Sequence, residues 1–60
     1  MIYDEIKKIA TEKGLSIRAI EMKAGIGNGV IDDWNERSPS INNLQKVAEV
    51  LEVPVGDLLK

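Results

Sequence analysis

The chain has 60 residues, a formal net charge of −2, and neither cysteine nor histidine. A chain of this length forms one domain that buries only about 60% of its unfolded surface, with no disulfide or zinc–thiolate site to support it. The usual general bases, nucleophiles and soft-metal ligands are missing, so we expect no enzyme activity, no metal and no cofactor, and the negative charge argues mildly against nucleic acid.

Two amphipathic helices are predicted in the first half of the chain, over about residues 2–13 and 17–24. Apolar residues recur at helical spacing in both segments: Ile2, Ile6, Ile9 and Ala10, then Ile17, Ile20 and Ala24. Gly14 and Gly25 stand where C-terminal caps belong, and Ser16 is a suitable N-cap for the second helix.

A third helix is predicted over about residues 28–36. Ile31 and Trp34 are three residues apart and point the same way, whereas the opposite side carries acids: Asp32, Asp33 and Glu36. The Asn-Gly pair within residues 27–29 is also a hairpin signal. The apolar runs beside it are only two residues each and no other strand is indicated, so the pattern favours the helix.

The last part of the chain predicts two more helices. Ser40 is a suitable N-cap for a helix over about residues 41–51, and Val53-Pro54 opens a short one over about 55–59. The 43% hydrophobic content is mostly aliphatic, which predicts an all-α globular domain. The expected core consists of Ile6, Ile20, Ile26, Ile31, Trp34, Leu44, Val47 and Leu51.

Location and ligands are also limited by the sequence. No apolar run approaches the roughly 18 residues of a membrane span, and the acidic N-terminus, MIYDEIKKIA, is unlike a signal peptide. We therefore expect a cytoplasmic chain with no membrane contact, and no small-molecule ligand is evident. The start at Met1 and the end at Lys60 are consistent with a complete chain.

Motifs in order along the chain resemble the lambda-repressor-like helix-turn-helix family, also described as Cro-type or XRE-type. The resemblance covers nearly the whole sequence and rests on Gly14-Leu15-Ser16, Ile20, Gly25-Ile26, Ile31, Trp34, Pro39-Ser40, Leu44, Ala48, Leu51-Glu52-Val53 and Asp57-Leu58-Leu59. The short opening at residues 27–29 and the Ser38-Pro39 joint are similar to small repressors of phages and mobile elements in low-GC Gram-positive bacteria.

This resemblance implies a compact five-helix DNA-binding domain whose helix-turn-helix is formed by helices 2 and 3. Residues at and just after the start of helix 3 are then expected to face the bases: Asn28, Gly29, Val30 and Asp33. Phosphates are expected at the start of helix 2 and from the end of helix 3 into helix 4: Ile17, Arg18, Arg37, Ser38, Asn42 and Asn43.

Three features depart from the family pattern. Ile17 stands where the family usually has a glutamine that bonds a phosphate and a base-contacting side chain, and isoleucine does neither. Glu21 stands where the family usually has a small alanine at the helix crossing. We expect its side chain to extend into solvent or to pair with Arg18 or Lys23. The aspartates of helix 3 stand where basic or neutral polar residues are common.

Several of these residues also have a purely structural interpretation. Asn28 either bonds adenine or caps helix 3, and Gly29 either allows close approach to DNA or is a slack helix start. Asp33 either accepts from cytosine N4 or belongs to a solvated acidic face. Arg18 either binds phosphate or pairs with Glu21. Ser40 and the asparagines after it either bind phosphate or form an ordinary capped helix start.

Two functions follow from these observations. The first is a sequence-specific DNA-binding transcriptional regulator, a repressor that inserts helix 3 in the major groove of a palindromic operator. It would act as a homodimer that buries Val55, Leu58 and Leu59 and places its recognition helices about 34 Å apart. The alternative is a protein-interaction module, antitoxin-like or antirepressor-type, which the acidic helix 3 and the missing glutamine favour.

Overall fold

The computed structural model describes the whole chain, Met1–Lys60, and contains helices and no strand. Three longer helices, α1 (Ile2–Lys13), α2 (Ile17–Ala24) and α4 (Ile41–Leu51), lie where apolar residues recur at helical spacing. A one-turn helix, α3 (Val30–Asp33), follows α2, and a 3-10 helix, Val55–Leu59, ends the chain. The all-α class is therefore confirmed.

The longer helices begin and end on recognisable local signals. Ser16 and Ser40 cap α2 and α4, because each hydroxyl accepts a hydrogen bond from the backbone N–H three residues later. Each longer helix ends in a Schellman motif, with the capping residue in the left-handed region: Gly14, Gly25 and Glu52. The next residue donates its N–H back into the helix and packs against the core: Leu15, Ile26 and Val53.

The core is a cluster of ten buried apolar residues: Ile6, Ala10, Ile20, Ile31, Trp34, Leu44, Val47, Ala48, Leu51 and Leu58. Among the expected core residues only Ile26 is not in this cluster; it is half-buried and packs against the cluster's edge. The main contacts run between α2 and α4 and between α1 and the 3-10 helix. This arrangement fixes α2, which in turn supports the start of α3.

The third helix is much shorter than the predicted range of 28–36. Gly29 has φ 86° and ψ −4°, outside the helical region, so α3 begins only at Val30. After Asp33 the backbone N–H groups of Trp34, Asn35 and Glu36 bond carbonyls three residues back, which describes turns instead of an α-helix. Pro39 then disfavours helix at the preceding residue, and the chain stays irregular up to Ser40.

The preference for a helix over a hairpin is confirmed: the chain has no strand, and a type I′ turn needs positive φ at both central residues, which Asn28 does not have. Two other expectations are corrected. The fifth helix has 3-10 geometry. Leu58 is fully buried within its own chain, so it is not free to cover a partner, whereas Leu59 is exposed. None of the helices combines the length and apolar content that a bilayer crossing requires.

Candidate nucleic-acid interface

The segment between α2 and α3 is a tight turn built around a glycine. The N–H of Val30 donates to the carbonyl of Gly27 at 3.3 Å, with Asn28 and Gly29 between them. The φ and ψ of Gly29 match the third position of a type II turn, which strongly favours glycine. Steric crowding does not require glycine here, since a Cβ atom added to Gly29 would meet no other atom within 4 Å. Backbone conformation by itself therefore accounts for a glycine at this position.

Glu21 joins α2 to the first turn of α3. Its Oε2 accepts hydrogen bonds from the N–H of Gly29 at 3.0 Å and from the N–H of Ile31 at 3.1 Å, and the side chain is only 2% exposed. Hydrogen bonds to charged groups contribute about 1.5–3 kcal/mol each. The expectation that Glu21 extends outward or pairs with Arg18 or Lys23 is wrong, because the unpaired N–H groups at the start of α3 supply its donors.

Asn28 is exposed and is not the cap of α3. The N-cap position belongs to Gly29, which has no side chain, and the carboxylate of Glu21 takes the place of a side-chain cap. None of the side-chain hydrogen bonds of the chain involves the Asn28 amide, so its donors and acceptor are available at the surface. The N-cap interpretation of Asn28 is therefore wrong.

The remaining candidates near α3 divide into exposed and buried residues. Val30 is half-buried and packs against the core, and Trp34 is buried. Exposed acids follow on the outer side, and none forms an ion pair: Asp32, Asp33 and Glu36. The solvated acidic face is thus present in the structure.

The phosphate candidates lie on three segments. Arg18 is exposed on the first turn of α2 and does not pair with Glu21, whereas Ile17 is half-buried against the core. Arg37 and Ser38 are exposed and line an open surface pocket of about 240 Å³ together with Met1, Ile2, Trp34, Asn35 and Glu36. Asn42 is exposed at the start of α4, and the N–H of Asn43 is already bound to Ser40.

The role of Glu21 is the feature that local sequence patterns miss. Capping signals join residues about three apart, as in Ser16 and Ala19, whereas Glu21 lies eight and ten residues before its donors. The one available signal was an acid at a helix-crossing position usually occupied by alanine. Such a residue needs buried donors if it does not reach solvent.

A comparison with protein-family models gives one match. A model described as helix-turn-helix covers residues 6–58, from the first turns of α1 to the C-terminal 3-10 helix. No match was found among curated proteins, and none was found among solved structures.

Proposed function

The chain belongs to the helix-turn-helix family, a family of DNA-binding regulatory domains and not of enzymes, and from this premise we propose that it is a sequence-specific transcriptional repressor. The helix-turn-helix would consist of α2, the turn around Gly29 and α3. The observation that carries the proposal is the free amide of Asn28 at the start of α3, on a turn that Glu21 holds against α2. The resemblance to small phage and mobile-element repressors supports the repressor role.

Base recognition is assigned to the first turn of α3, placed in the major groove. Asn28 would bond adenine through its amide, the most specific contact that this segment offers. Val30 would lie against a thymine methyl, Gly29 would let the backbone approach, and Asp33 would accept from cytosine N4.

Backbone contacts are assigned to the residues that flank this turn. Arg18 and Arg37 carry exposed charges without an ion-pair partner, which suits phosphate. Ser38 and Asn42 would add neutral hydrogen bonds. Ile17 lies on the first turn of α2, where its N–H points toward the helix start, and Asn43 would contribute its side-chain amide, because its N–H is bound to Ser40.

We further propose binding as a homodimer to a palindromic operator. Half-sites one turn of B-DNA apart are separated by about 34 Å. The chain measures 25 × 24 × 17 Å, so a single copy covers one half-site and two copies side by side are needed for both.

A second candidate function is supported by the negative charge on α3 and in the turns that follow it. Asp32, Asp33 and Glu36 are exposed and unpaired, and acids near a groove repel the phosphates. A protein partner with a basic surface would match this face. In this alternative the chain keeps the fold as a protein-interaction module, antitoxin-like or antirepressor-type, with weak DNA binding.

The proposal is tested by titrating isotope-labelled protein with random-sequence duplex DNA at low salt and following the backbone amide shifts. We expect the shifts to cluster at Arg18, at residues 28–33 and at residues 37–43, because these would lie nearest the phosphates and bases. Shifts confined to other parts of the surface, or none at all, contradict DNA binding by α3 and favour the protein-interaction module.

A further inference from the structure

Glu21 is the only charged residue buried in the chain, and it has no cationic partner. It is 2% exposed, and neither of the two ion pairs involves it. A buried carboxylate is costly unless hydrogen bonds replace its lost hydration. The two replacing donors are both backbone N–H groups at the start of α3, and both reach the same oxygen, Oε2.

Few directional contacts fix the start of α3. The helix has one turn and its N-cap Gly29 has no side chain, while Ile31 is buried and half-buried Val30 packs against the core. These apolar contacts are non-directional, whereas two hydrogen bonds to one oxygen are directional. The carboxylate of Glu21 is therefore the side-chain contact that orients the first turn of α3.

We propose that Glu21 is a positioning residue for DNA recognition: it caps α3 from α2 and so leaves the amide of Asn28 free to read a base. In a helix capped by Asn28 itself, that side chain would be turned back onto the backbone. The inference rests on the proposed function, since it concerns how α3 meets DNA. It assigns to Glu21 no contact with DNA.

Two substitutions at Glu21 separate positioning from stability. In Glu21→Gln the amide oxygen still accepts from both N–H groups, although neutral hydrogen bonds are roughly half as strong as charge-assisted ones. In Glu21→Ala both N–H groups lose their acceptor. The matched control is Val47→Ala, which also removes buried side-chain volume but lies on α4 and bonds nothing in α3.

Two readouts are measured at a temperature where each variant is folded. The first is hydrogen exchange at the amides of Gly29 and Ile31, compared with the amide of Ile20 in the same sample. The second is affinity for duplexes that the wild-type chain selects from a random-sequence pool. We expect Glu21→Ala to exchange faster at those two amides and to bind about tenfold more weakly. We expect Glu21→Gln to bind within about threefold of wild type, and Val47→Ala to bind as wild type does.

The possible failures are distinguishable. If Glu21→Ala loses no more affinity than Val47→Ala, Glu21 serves stability alone and the inference is overturned while the proposed function stands. Unchanged exchange at Gly29 and Ile31 in Glu21→Ala overturns it as well. If the wild-type chain selects no duplex, the proposed function fails and the inference about DNA fails with it. Should Glu21→Ala not fold, a Glu21→Gln variant that is folded, exposes both amides and keeps full affinity contradicts the inference by itself.

Discussion

At the scale of single residues, Glu52 stands in a conformation that its side chain disfavours. It ends α4 with φ 59° and is the only non-glycine residue with positive φ in the chain. The same position is filled by glycine at the ends of α1 and α2. For an L-residue the left-handed region costs roughly 1–2 kcal/mol. The Schellman hydrogen bonds of Glu52 and Val53 to α4 hold it there nonetheless.

We predict that Glu52→Gly stabilises the protein by about 0.5–1 kcal/mol, because glycine adopts this conformation without strain. The matched control is Glu49→Gly, the same exchange at an exposed position inside α4, which should destabilise by up to about 1 kcal/mol. Urea unfolding followed by circular dichroism measures both. A Glu52→Gly variant no more stable than wild type would show that the left-handed cap is unstrained.

At the scale of elements, the proposed base-reading residues at the start of α3 lie beside exposed acids. Asn28 precedes it with a free amide, and Asp32 and Asp33 are exposed on it. Because charges are screened over about 8 Å at physiological salt, acids affect DNA binding only where they lie close to phosphates. The change in DNA affinity when the acids of α3 are replaced therefore measures how near this helix comes to DNA.

We predict that replacing both Asp32 and Asp33 by asparagine tightens non-specific duplex binding about three- to tenfold at low salt. The control changes the net charge equally elsewhere, with Glu12→Gln on α1 and Glu49→Gln on α4, both exposed positions. Mobility shifts across a salt series compare the two double variants. An equal gain in both would place α3 away from DNA, as the protein-interaction alternative requires.

At the scale of the whole molecule, the chain has a small core and exposed apolar side chains. Ten buried apolar residues support 60 residues, and Leu59 at the C-terminal end remains 57% exposed beside half-buried Val55. A domain of this size has marginal stability on its own. A second copy that covers this end would add buried apolar area, and its α3 would bind the second half-site of the operator.

We predict that the free energy of unfolding increases with protein concentration. Where the dimer dominates, the increase is about 1.4 kcal per mole of dimer for each tenfold rise in concentration. Leu59→Asp should abolish this dependence. Met22→Asp, at a similarly exposed apolar position on α2, should retain it. Thermal unfolding at several concentrations, with sedimentation equilibrium, makes the measurement. A midpoint independent of concentration in the wild type contradicts the dimer.

Much of the fold is readable from the sequence because its signals are local. Apolar residues three and four apart place α1, α2 and α4, and serine caps and glycine stops act within one helical turn. The left-handed cap at Glu52 was not predicted, since glutamate rarely adopts positive φ and so gives no local signal for such a cap. The length of α3 was not predicted either. It depends on the positive φ of Gly29, which delays the start of the helix, and on the irregular segment before Pro39.

The candidate site shows the same division. The sequence by itself determined which residues surround the start of α3, and it identified Asn28 as either a cap or a base reader. Only the tertiary structure decided that Asn28 is free, that Glu21 takes the capping role, and that Leu58 belongs to its own core. The physical reason is range. Helix periodicity and caps join residues within a turn of each other, whereas a buried carboxylate finds its donors only once two helices have packed.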